Sequence, residues 1–171
     1  MPSTVASSES RATTQDPSRV YEEGFAAGLI GAATIAVWFF ALDIIQGRPL
    51  HTPTVLGMAV FHQAGLDRPE SVPASLETAA LFTWLHVLCF GIVGCSASWL
   101  LYRAERNPNL SFGILLLGVF VQFAFLAVGA MFARPLLSDL TLPAIVIGNL
   151  LAAGAMAWYF RRRHPGFRLS I

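Results

Sequence analysis

Hydrophobic positions along the chain fall into four long apolar blocks, at about residues 25–45, 78–102, 111–133 and 140–160, separated by short polar interruptions. A helix needs roughly 20 apolar residues to cross about 30 Å of hydrocarbon, and each block meets that length. Each is apolar around most of its circumference, without the single stripe of a helix resting on a water-soluble core. Backbone groups in lipid need partners within their own segment, and the alternation of a closed barrel is missing, so each block is expected to be helical. The pattern predicts an all-α integral membrane protein: an antiparallel four-helix bundle with a short interfacial helix between spans one and two.

The polar stretches set the remaining organisation. Residues 1–20, rich in Ser and Thr with isolated charges and no apolar core, read as a disordered tail and not as a cleavable signal. Residues 21–163 form the transmembrane domain and 164–171 a second tail. The turns Arg103–Asn109 and Arg134–Asp139 are short, so spans two, three and four are expected to meander as antiparallel neighbours. Only residues 46–77 make a long connection, and a loop of that length is expected to contain structure. Thr52-Pro53 reads as a helix cap followed by proline at the first helical position, and Gly65 as a stop. This predicts an interfacial helix over about 53–64, too short to span, that buries Val55, Leu56, Ala59 and Phe61. Ser75 then caps span two, with Glu77 in its first turn, where a negative charge suits the helix dipole.

Composition narrows the class. The 171 residues are 55% hydrophobic and 12% charged, against roughly a quarter charged in an ordinary soluble domain. A typical soluble enzyme and a disordered protein are excluded, and a net charge of +1 is too small for a nucleic-acid-tracking surface. All 11 basic residues are Arg, which reads as the codon usage of a GC-rich bacterium. Their placement orients the chain. Arg11, Arg19, Arg103, Arg106, Arg161, Arg162, Arg163 and Arg168 fall on one side, against Arg48, Arg68 and Arg134 on the other. Positive charge stays inside, so both termini are expected on the cytoplasmic face of a bacterial inner membrane. Tyr21, Trp99, Tyr102, Trp158 and Tyr159 cluster at that same interface, where amphipathic rings prefer to sit. Cys89 and Cys95 point to different helix faces and read as free thiols.

One string stands out: Ala32-Ala33-Thr34-Ile35-Ala36-Val37-Trp38-Phe39, then Asp43, then Gly47-Arg48-Pro49-Leu50-His51-Thr52-Pro53-Thr54-Val55-Leu56-Gly57. It resembles a segment of small uncharacterised bacterial four-span membrane proteins. The resemblance covers a minor part of the chain and brings no activity, ligand or catalytic residue. It implies that the end of span one and the following loop matter to such proteins.

Polar side chains at membrane depth are where function is normally sought. Counting about 1.5 Å per residue from the outer interface puts Thr34, His86, Gln122 and Asn149 at about 12–16 Å, one per span. Two readings stand side by side: hydrogen-bond links between helices, or a ligand or proton site centred on His86, with Thr83 and Cys89 a turn away. A haem reading needs a second axial ligand, from His62, from His51 or from another copy's His86, and no CxxCH is present. At the outer interface Asp43 is either salt-bridged, with Arg48 and Arg134 on its side, or an ion-entry residue. His51 and His62 complete the outer candidates, and His164 reads as part of a basic lipid-facing cluster.

Small residues mark candidate helix contacts: Gly24, Gly28 and Gly31 in span one, Gly91, Gly94, Cys95 and Ser98 in span two, Ala144, Gly148 and Ala152 in span four. The Gly24–Gly28 pair straddles the interface, which makes the span-four series the stronger expectation. The sequence contains no nucleophile elbow, P-loop, dinucleotide fingerprint or HExxH. No catalytic residue is assigned, and metal and cofactor stay open. The leading expectation is a non-enzymatic accessory or structural subunit that associates with lipid and with other membrane proteins or copies of itself. The alternative is a membrane protein that binds a small molecule, ion or cofactor, haem included, through His86, Gln122, Asn149 and Thr34.

Overall fold

The computed structural model describes residues 17–62, 71–107, 112–113, 116–121, 123–124 and 141–165. These residues are helical apart from short connections, with no strand among them. Helix α1 spans Pro17–Ile45, α2 spans His51–Gly57 and continues as a π-helical turn over Met58–His62, α3 spans Leu76–Arg106 and α4 spans Thr141–Arg163. Three of them, α1, α3 and α4, are long and apolar enough to cross a membrane. The expected third span falls mostly outside the described residues; those described within it, 112–113, 116–121 and 123–124, are helical.

Helix α1 begins earlier than the apolar pattern indicates. Pro17 supplies a preset φ in the first turn, and Val20, within the expected tail, is buried. The 29 residues of α1 run about 44 Å at about 1.5 Å each, longer than the hydrocarbon alone requires. Helix α3 starts where expected: the Ser75 hydroxyl accepts the Thr78 N–H at 3.3 Å, with Glu77 in the first turn.

Helix α1 is the hub, with α3 and α4 packed against it. Its first half crosses α3 where glycines remove the side chains. A Cβ on Gly24 would fall 2.8 Å from the Gly94 carbonyl oxygen, one on Gly28 would collide with the Phe90 carbonyl, and one on Gly94 with the Gly24 carbonyl. Backbone approach of this kind drives helix pairing where lipid is as apolar as the side chains. The Gly24–Gly28 pair is therefore a principal contact, although its place at the interface pointed to the span-four series. That series packs too: Gly148 faces the Trp38 ring, and Ala152 and Met156 join Ala27, Ala32, Ile35 and Phe90 in one buried cluster. The Trp38 indole N–H donates to the Ala144 carbonyl at 2.9 Å. Both Cys89 and Cys95 are free thiols.

Candidate functional site

The C-terminal end of α1 is a compact corner built by the 43–57 string. The Arg48 N–H donates to the Asp43 carbonyl at 2.9 Å and the Gly47 N–H to the Ile44 carbonyl at 2.9 Å. This is the Schellman arrangement, with Gly47 at φ +69°, where a glycine carries no Cβ penalty. The chain then turns through Pro49 and through Leu50 at φ 66°, a left-handed position that strains a non-glycine residue. Helix α2 begins immediately afterwards, and its cap comes from α1. The Asp43 carboxyl group accepts the Thr52 N–H at 2.8 Å and the Thr52 hydroxyl at 2.6 Å. Asp43 is buried, so one residue closes the end of α1 with its backbone and starts α2 with its side chain.

Two more contacts fasten α2 to α3. Thr54 is fully buried; its hydroxyl donates to the Leu50 carbonyl at 2.7 Å and accepts the Ser75 N–H at 3.3 Å. A Cβ on Gly57 would come within 2.6 Å of the Thr78 methyl group. A short helix is present where an interfacial helix is expected, but it starts at His51, with Thr52 inside its first turn and not at its cap. Its described part ends in the π-helical turn at His62.

Each outer candidate has a defined place. Asp43 is engaged by Thr52 and not by a salt bridge to Arg48, whose guanidinium donates to the Gln46 side chain at 3.2 Å. The reason is geometric: the Schellman turn carries Arg48 outward while Asp43 faces the start of α2. The His51 N–H donates to the Arg48 carbonyl at 3.1 Å, and His62 is exposed. Arg134 lies outside the described residues. Among the described residues no group of three or more His, Cys, Asp or Glu side chains is placed to hold a metal ion.

The mid-depth polar residues divide into two kinds. The Thr34 hydroxyl donates to the Ile30 carbonyl at 2.7 Å, satisfied within its own helix, and Thr83 does the same to Ala79 at 2.7 Å. His86 sits between Phe82 and Phe90, with ring centroids 6.0 and 4.8 Å away, and beside the Ala32 carbonyl of α1. Among the described residues its Nε2 is buried without a hydrogen-bond partner, and so is Nδ2 of Asn149. Gln122, the fourth member of the layer, lies outside the described residues.

At the opposite end of the molecule the structure shows a cluster that the sequence reading passed over. The His164 ring bridges two carboxylates, Nδ1 to Glu105 at 2.7 Å and Nε2 to Glu23 at 3.0 Å. His164 thus joins the end of α4 to the start of α1 and the end of α3, and is not simply one more charge in a basic patch. The signal was available: Glu23, Glu105 and His164 all fall on the side that the arginines mark as inner. Around them Arg103 lies over Trp99 at 4.8 Å, Arg162 over Trp158 at 4.2 Å and Arg163 over Tyr159 at 5.6 Å. These are the guanidinium–aromatic pairs of a membrane interface.

Long apolar helices packed through glycines, with ring-stacked arginines at one end, define a helical membrane protein. No known protein family, curated protein or solved structure matches the chain.

Proposed function

We propose that the chain is a multi-pass protein of a bacterial inner membrane, with both termini cytoplasmic, and serves as a non-enzymatic accessory or structural subunit of a membrane assembly. The observation that carries this reading is the use made of its polar side chains. Asp43, Thr54, Trp38 and His164 each join one helix to another. The outward surface is left to large apolar side chains such as Val37, Trp84, Ile92 and Leu150. A rigid helical body with a lipid-compatible exterior suits packing against other membrane helices.

A four-span topology is part of the proposal and has geometric support. Helix α3 ends beside His164, whereas α4 begins near Trp38 at the other end of α1. A fourth span over the apolar stretch 111–133, which has the length for it, would join these two ends. The 43–57 corner gives the resemblance to small four-span proteins a physical content: those residues join two helices through Asp43 and Gly47. The test is gentle extraction from native membranes followed by a native gel. Migration in an assembly larger than the chain and its own oligomers is expected; migration as a solitary chain overturns the proposal.

A second reading is favoured by one specific observation, the two buried atoms His86 Nε2 and Asn149 Nδ2, which have no partner among the described residues. An unsatisfied buried polar group costs about 1–3 kcal/mol. A small molecule, ion or cofactor contacting them would remove that cost, as would the Gln122 side chain. A ligand-binding protein would release a stoichiometric small molecule on denaturation, and His86→Ala would lose it.

A further inference from the structure

A groove of about 650 Å³ runs along the α1–α3 seam, beside the glycine crossing and toward the His164 end, lined by Tyr21 and Phe25 of α1 and by Leu88, Ile92, Ser96 and Trp99 of α3. Its size falls in the range of about 300–1,000 Å³ typical of small-molecule sites. Two polar groups of the lining are engaged within the protein. The Ser96 hydroxyl donates to the Ile92 carbonyl at 2.8 Å and the Cys95 thiol faces the Tyr21 carbonyl at 3.6 Å. What remains to meet an occupant is hydrocarbon and aromatic ring, and the lining residues Phe25, Leu88 and Ile92 are all substantially exposed.

The groove has a charged end. Arg103 follows Trp99 by one helical turn, and its guanidinium lies 4.8 Å over that ring. The nearby carboxylates Glu23 and Glu105 are occupied by His164, and no ion pair to Arg103 is found among the described residues. An open apolar groove walled by Trp99, with an exposed guanidinium stacked on that ring and in no ion pair among the described residues, has the polarity of one kind of molecule. We infer that the α1–α3 groove binds an anionic glycerophospholipid, one acyl chain between Phe25 and Ile92 and the phosphate on Arg103. A guanidinium can grip a phosphate with two parallel hydrogen bonds. The site is distinct from the His86–Asn149 layer and does not depend on the assembly role.

Native mass spectrometry of the full chain in mild detergent tests this, with equimolar dioleoyl phosphatidylglycerol and dioleoyl phosphatidylcholine as the probes. The wild type is expected to retain the anionic lipid about fivefold over the zwitterionic one, equivalent to the ~1 kcal/mol that one surface arginine contributes to anionic-lipid attraction. Arg103→Gln should bring the ratio to about one while a lipid stays bound, the charge term alone being removed. Ser96→Phe, which fills the groove floor, should abolish retention. Arg162→Gln, which leaves the groove and Arg103 untouched, should keep the preference. Equal retention of the two lipids by the wild type overturns the inference. So does a preference that survives Arg103→Gln or vanishes equally in Arg162→Gln, and so does a dimer of the chain that retains no lipid. Where Ser96→Phe fails to fold, the Arg103→Gln and Arg162→Gln pair still decides, because both side chains are exposed near helix ends.

Discussion

Asp43 and Thr52 share two hydrogen bonds, the Thr52 N–H and the Thr52 hydroxyl both donating to one carboxyl group at 2.8 and 2.6 Å. A helix of seven residues is marginal on its own, because nucleation is unfavourable and few bonds follow it. Its start is fixed here by a cap from the preceding helix, and its body by Thr54 and Gly57 against α3. The corner is therefore a single cooperative piece.

Asp43→Ala should destabilise the protein by about 1–3 kcal/mol, the range for leaving donors away from water without their acceptor. Thr52→Val removes one of the two bonds and should cost less, about 0.5–1.5 kcal/mol. Arg48→Gln, at an exposed side chain bonded among the described residues to Gln46, should change stability by less than about 0.5 kcal/mol. Thermal unfolding in detergent, ranked across the three variants, is the check. An Arg48→Gln effect as large as that of Asp43→Ala would restore the salt-bridge reading of Asp43.

Glycine substitutions should separate sharply by position. Gly28→Ala and Gly94→Ala push a methyl group into backbone of the opposing helix and should each destabilise by about 1–3 kcal/mol, as overpacking does. Gly154 in α4 has nothing within 4 Å of its hypothetical Cβ, so Gly154→Ala should be neutral or stabilising by up to about 1 kcal/mol through helix propensity. Equal tolerance at all three positions would contradict the close α1–α3 crossing.

Much of this architecture was legible along the chain because it rests on local pattern. Three membrane-length helices follow from apolar run length, and the Ser75 cap from a residue with a strong local preference, whereas the Gly47 turn went unread although glycine is the residue such a turn favours. Other features depend on what folding brings together. Nothing in the neighbourhood of Asp43 distinguishes a salt bridge to Arg48 from a cap on Thr52; the Schellman turn decides it by sending Arg48 outward. Thr34 reads as an interhelical polar group but satisfies itself on Ile30, a choice open to any helical threonine. The His164 bridge joins residues 59 and 141 positions apart, beyond the reach of periodicity, although topology placed all three on one side.

His164 and Glu105 should be coupled. A double-mutant cycle over His164→Ala and Glu105→Gln is expected to give an interaction of about 0.5–1 kcal/mol, near the upper end for partly exposed ion pairs. It should shrink as salt is raised, since screening acts on charges near water. A coupling near zero at low salt would mean that the three helix ends are held by packing alone.

The central claim is that the polar groups of this protein hold helices together and do not serve a bound reactant. It is tested most directly by the mass and absorption spectrum of the chain extracted gently with its lipid, wild type beside His86→Phe. The expected result is migration in a larger membrane assembly, no visible absorption band, and an assembly unchanged by His86→Phe. A stoichiometric small molecule or a visible band on the wild type, lost in His86→Phe, would contradict the claim and make the His86–Asn149 layer a ligand site.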